Sequence, residues 1–133
     1  LELYEPIQYD SNPPTSGRHY ELAAQDGAYP ERPPDSSVVH SLEHGRVVLW
    51  FDPKLPTARR ADLKALFEED ANQLLVVPRP GMPDAVAASA WNRDPEPLGT
   101  GRLLTCSRLS DRTFDALRAF LNKHRGQGPE PIP

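Results

Sequence analysis

His40 and His44 stand four residues apart in Val38-Val39-His40-Ser41-Leu42-Glu43-His44-Gly45, and a third histidine, His19, follows Pro13-Pro14-Thr15-Ser16-Gly17. Imidazole nitrogens become metal ligands when the backbone brings them to one point. In an extended strand His40 and His44 would share a face but stand about 13 Å apart, at roughly 3.4 Å per residue, too far to hold one ion. On a helical turn they would be about 6 Å apart, and both rings could reach a common metal. Asp35, Ser36 and Ser37 are N-cap candidates, and Gly45 is the usual residue just past a helix C-terminus, so a short helix or turn is expected.

Met82, the only methionine, lies between Gly81 and Pro83 and is the candidate fourth donor. Three imidazoles suit zinc or copper, and an added thioether shifts the preference toward copper, particularly Cu(I). The expected metal set is therefore His19, His40, His44 and Met82, with copper favoured and zinc the alternative. His40-Ser41-Leu42-Glu43-His44 also matches the H-x-x-E-H pattern of inverted zinc proteases, in which the glutamate is a general base. That motif belongs in a long helix with a further ligand from a following helix. Here Gly45 and an apolar run follow at once, so Glu43 reads better as a partner for a histidine. A metal-free alternative is a structural or interaction module whose histidines tie the N-terminal segment to the core. His124, beside Lys123 and Arg125, reads as a surface residue complementing a helix dipole, Arg125 as a residue that could orient the C-terminal tail, and Trp91 as core or a wall of the site.

At 133 residues the chain is expected to be one domain, with an N-terminal arm at 1–37, a core at 38–126 and a tail at 127–133. Only 38% of residues are apolar and 16 are proline, but the prolines cluster at 6–34, 53–56, 78–97 and 129–133 and leave three segments free to fold. A net charge of −4 with dispersed basic residues argues against nucleic-acid binding, which needs a clustered basic face. The lone Cys106 excludes an internal disulfide and a cysteine-rich metal centre. No apolar run approaches the ~20 residues of a membrane span.

The elements that must position the histidines follow from periodicity. Tyr4, Tyr9, Tyr20 and Tyr29 sit among prolines in the arm, which is expected to be irregular and to pack over the core by its aromatics. Residues 46–51, 73–77, 85–91 and 102–107 read as strands, with a turn-rich stretch between the last two. Thr57 is expected to cap a helix over 58–70, and Ser110 a helix to His124 whose Phe114, Leu117, Phe120 and Leu121 recur at helical spacing. Strand, helix, strand, strand, strand, helix is a thioredoxin-like βαβ-ββα order, so the expected class is α/β, with a ferredoxin-like sandwich as runner-up. Met82-Pro83 stands where thioredoxin-like folds carry a cis-proline. Asp52-Pro53-Lys54-Leu55-Pro56 replaces the cysteine pair after the first core strand, so thiol-disulfide exchange is excluded.

PPTSGRHY at 13–20, VHSLEHGRVVLWFDP at 39–53, the segment from Pro78 through Ala90-Trp91, and RGQGPEP at 125–131 together resemble the bacterial domain-of-unknown-function family numbered three thousand one hundred and five. Asn92 departs from the glycine that the family pattern places after Ala-Trp. The resemblance implies an extracytoplasmic domain, often held behind a membrane anchor, with no settled activity.

Overall fold

The computed structural model describes residues 7–132, so Tyr4 of the arm lies outside the described residues. The architecture is mixed α/β: β1 (Gly27–Ala28), α1 (Asp35–Glu43), β2 (Val47–Phe51), α2 (Thr57–Glu69), β3 (Leu74–Pro78), β4 (Val86–Asn92), β5 (Thr100–Cys106) and α3 (Asp111–His124). The strands form one sheet in the order β1-β3-β2-β4-β5. β3 runs parallel to β1 and β2, while β4 runs antiparallel to β2 and β5. The βαβ-ββα order expected from the sequence is present from β2 onward, and nothing in it conflicts with a thioredoxin-like arrangement.

The inner strands read as nearly unbroken apolar runs because both faces of the sheet are covered. Side chains alternate across a strand, so Val47 and Leu49 enter one apolar cluster and Val48 and Trp50 the other. The first cluster joins the sheet to Leu63 and Leu66 of α2 and to Leu117 and Leu121 of α3. The second joins it to Val38, Val39 and Leu42 of α1, with Tyr9 and Tyr29 of the arm packed against it. Small residues at Ala87 and Ser89 give α1 a close seat, and the buried Ser89 Oγ accepts a hydrogen bond from Trp50 Nε1 at 2.8 Å. Tyr9 and Tyr29 of the arm therefore help close the α1 face of the sheet.

Several local expectations are corrected. α1 begins after Pro34, not at a side-chain cap: Pro34 O accepts from the N–H groups of Ser37 and Val38 at 3.0 and 3.3 Å. Asp35 is instead drawn to Arg79 Nη1 at 2.8 Å, and Ser36 Oγ accepts the N–H of Tyr20 at 2.7 Å. α2 likewise starts after Pro56, with Thr57 inside the helix. Ser110 does cap α3, through a reciprocal bond in which Thr113 Oγ1 accepts the Ser110 N–H at 3.0 Å. The Met82-Pro83 bond is trans; the cis bonds among the described residues are Asn12-Pro13, Asp94-Pro95 and Glu96-Pro97. No helix among the described residues is long and apolar enough to cross a membrane.

Candidate metal centre

α1 buries Val38, Val39 and Leu42 and turns His40, Glu43 and His44 to its other side, as helical spacing requires. His44 closes the helix at the C-cap position and Gly45 follows at φ 93°, a left-handed conformation that suits glycine. The rings of His40 and His44 stand 4.5 Å apart, centroid to centroid. The helical reading of this pair is thus the observed one.

His19 arrives from the arm. Pro13 and Pro14 are buried, and the turn behind them rests on β5 so closely that a Cβ at Gly101 would fall 1.9 Å from Thr15 Oγ1. Tyr9 Oη donates to Arg18 O at 2.7 Å, and the Ala24 N–H donates to Ser37 O at 2.9 Å. Ser41 Oγ, buried on α1, donates to Ala24 O. Fastened at these points, the arm lays the His19 ring 4.7 Å from that of His40 and edge-on to Trp91 at 6.0 Å. Trp91 both walls the cluster and packs on the core, with its Nε1 donating to Leu98 O at 3.0 Å.

The hydrogen bonds assign the ring protons. His40 Nδ1 lies 2.9 Å from Tyr20 O and His19 Nδ1 lies 3.0 Å from Gly17 O. A carbonyl only accepts, so both Nδ1 atoms carry hydrogen, and in a neutral ring each Nε2 would be the lone-pair nitrogen. Backbone carbonyls orient metal-binding histidines in this way. Yet His19 Nε2 faces Glu43 Oε1 at 3.1 Å. Two acceptors confronting each other require a cation between them or a second proton on the ring. One donor atom each from His19, His40 and Glu43 lie within 4.8 Å of one another.

Glu43, expected only as a partner for a histidine, is therefore part of the cluster itself. A second group, Glu43, His44 and Glu130, also places its donor atoms within 4.8 Å of one another. Glu130 had no signal in local sequence beyond the paired glycines of Gly126-Gln127-Gly128. The C-terminal segment binds the end of α1 through its backbone: the N–H groups of Gly126, Glu130 and Ile132 donate to the carbonyls of Gly45, Glu43 and His44 at 2.8, 3.0 and 3.2 Å. Helix-end carbonyls that would otherwise lack partners are thereby satisfied. The approach leaves no room for side chains, since a Cβ at Gly128 would stand 2.3 Å from Glu43 O.

Met82 is 7% exposed and belongs to the apolar cluster beneath α1, with Trp50 and Val77. Arg125 does not hold the tail; it bonds Asn72 O and Asp70 Oδ2 at 2.9 and 2.5 Å. Arg93 holds it instead, donating to Gly126 O and Gly128 O at 3.1 and 3.3 Å, because the tail turns back along the end of β4. His124 lies in the last turn of α3 as expected but is half-buried: its Nδ1 donates to Asn92 Oδ1 at 3.0 Å and its ring lies 4.6 Å from Phe120. Arg102 Nε donates to the same oxygen at 3.1 Å, leaving Asn92 Nδ2 buried without a hydrogen-bond partner among the described residues. Burial pushes the Cys106 thiol up, consistent with a packing role.

Burial, and then the neighbouring His40, hold His44 below the ordinary imidazole range, against the pull of Glu43 and Glu130. Burial, then Lys123 and Arg102, do the same to His124. A histidine whose folded pKa lies below its unfolded one binds fewer protons when folded, so acid favours the unfolded chain. The resulting stability is whole above the unfolded value of about 6.5 and erodes as pH falls through it toward the folded value. The metal-free chain is expected to melt at a lower temperature at about pH 5.5 than at about pH 7.5, and His124→Gln to flatten part of that slope. Parallel melting-versus-pH curves for the two chains would contradict the assignment to His124.

The fold and this cluster define a mixed α/β domain in which an arm, a helix end and a tail bring histidines and glutamates together. The chain belongs to the family described as "Protein of unknown function (DUF3105)", whose model matches residues 2–132. No curated protein and no solved structure matches it.

Proposed function

We propose that this is a metal-binding domain that holds one divalent ion, zinc or copper(II), on His19, His40 and Glu43. The observation that supports the reading is the confrontation of His19 Nε2 with Glu43 Oε1 at 3.1 Å, with Nδ1 already committed to Gly17 O. Two donors bound to one tetrahedral ion at about 2.0–2.1 Å stand about 3.3 Å apart, close to this separation. The donor set is nitrogen and oxygen, which suits zinc or copper(II), so the proposal does not depend on the Met82 thioether or on Cu(I). The family resemblance favours an extracytoplasmic setting for such metal handling. α1 ends at Glu43 and leads into β2, and the next helix, α2, packs in the other apolar cluster, away from the face that carries α1, which argues against the helix-borne protease motif.

A second reading has its own support. His19 and Glu43, with side chains 17% and 19% exposed, also make a satisfactory imidazolium–carboxylate pair that ties the arm to α1 without any metal. Calorimetric titration separates the two. Zinc or copper(II) is expected to bind the metal-free chain, with His40→Ala and Glu43→Gln each weakening binding by tenfold or more, in the range for loss of a ligand or its immediate support. Absence of binding to the wild-type chain by either ion would leave the ion-pair reading standing.

A further inference from the structure

We infer that the cluster is built for two ions, the second held by His44 and Glu130 and joined to the first through the Glu43 carboxylate. This rests on the metal-binding reading above and extends it. Glu43 belongs to both donor groups: it lies within 4.8 Å of the donor atoms of His19 and His40, and within 4.8 Å of those of His44 and Glu130. A carboxylate has two oxygens and can face two cations at once, and paired metal sites keep their ions about 3.5–4 Å apart.

Glu130, though exposed, is not placed at random. Its own N–H is bonded to Glu43 O at 3.0 Å, and Ile132 N–H to His44 O at 3.2 Å, so the residue that supplies the extra carboxylate is registered on the two residues it would join. That register depends on Gly45, Gly126 and Gly128, where backbone passes backbone: a Cβ at Gly45 would meet Gly126 Cα at 3.0 Å. Arg46 guards the same junction, donating to His44 O at 3.4 Å and to Ile132 O, with its Nε on Asp26 at 2.9 Å. Two carboxylates are thus brought together beside a neutral-capable imidazole, and among the described residues neither glutamate forms an ion pair with a lysine or arginine. Like charges at this range repel unless a cation sits between them. A divalent ion on Glu43, His44 and Glu130 supplies that charge, and the C-terminal tail becomes part of the metal centre as well as a helix cap.

The test is a count. The full chain, loaded with zinc and freed of loosely bound ion by gel filtration, is expected to carry two zinc ions by elemental analysis. Glu130→Gln, which keeps the backbone bond to Glu43, is expected to carry one, and so is His44→Ala. With copper(II), the wild-type chain should show spin–spin broadening and lost integrated intensity in electron paramagnetic resonance, and Glu130→Gln a single isolated-ion spectrum of one spin per chain. One ion on the wild-type chain overturns the second site while leaving the first intact; none overturns both. Two ions retained by Glu130→Gln, or two magnetically independent copper ions, overturn the shared-carboxylate arrangement.

Discussion

Zinc or copper(II) at a hundredfold excess over its dissociation constant is expected to stabilise the metal-free chain by about 2.7 kcal/mol, because an ion that binds only the folded state shifts the folding equilibrium by mass action. At about 4 °C per kcal/mol for a domain of this size, the melting temperature should rise by roughly 10 °C. The rise should fall to about half or less in His40→Ala, which removes one donor ring of the first group, the ring held by its Nδ1–H on Tyr20 O. It should persist in His124→Gln, because that histidine belongs to neither donor group. Differential scanning calorimetry with and without a chelator measures both. A wild-type chain that melts at the same temperature under all these conditions has no specific ion site. An undiminished rise in His40→Ala would place the ion elsewhere.

Trp50→Ala is expected to cost about 4 kcal/mol, in the range for deleting a large buried ring. Trp50 is fully buried in the cluster beneath α1, its Nε1 donates to Ser89 Oγ at 2.8 Å, and the Arg79 guanidinium lies 5.2 Å from its ring centroid. Truncation opens a cavity, strands the Ser89 hydroxyl and releases Arg79, which also holds Asp35 at the start of α1. Trp50→Phe keeps most of the volume and orphans only the hydroxyl, so it should cost less, about 1–3 kcal/mol. Chemical denaturation of the metal-free proteins compares them. If Trp50→Ala lost under about 1 kcal/mol, the α1 face of the sheet would be packed far more loosely than the full burial of Trp50 implies. The consequence reaches the histidine–glutamate cluster, since Val38, Val39 and Leu42 seat α1 on this same apolar cluster and His40, Glu43 and His44 ride on its other side.

Much of the fold was legible because its signals are local. Val47–Phe51 and Leu74–Pro78 are apolar runs of strand length, and α3 repeats its large apolar residues at helical spacing, so neighbouring residues alone declare the element. The placement of His40 and His44 on one helical turn was legible for the same reason. β1 was not: Gly27–Ala28 carries no period, and it is a strand only because the edge of β3 offers it backbone partners, Tyr29 N–H donating to Val76 O at 2.8 Å. The first residue of α1 was misplaced because Asp35 and Ser36, good caps in isolation, bond to Arg79 and to the arm once the chain is folded.

The sequence by itself determined the α/β class, the family, and two histidines on a short helix followed by a glycine stop. Only the tertiary structure decided that His19 lies over that helix, that Glu43 joins the two donor groups, that Glu130 comes within reach, and that Met82 is packed in the core. Helices and strands arise from interactions a few residues apart, whereas a centre assembled from residues 19, 40, 43, 44 and 130 depends on where a turn rests against Gly101 and how glycine backbones pass at Gly45 and Gly128. Such contacts are set by packing between distant segments, and no window of sequence contains them.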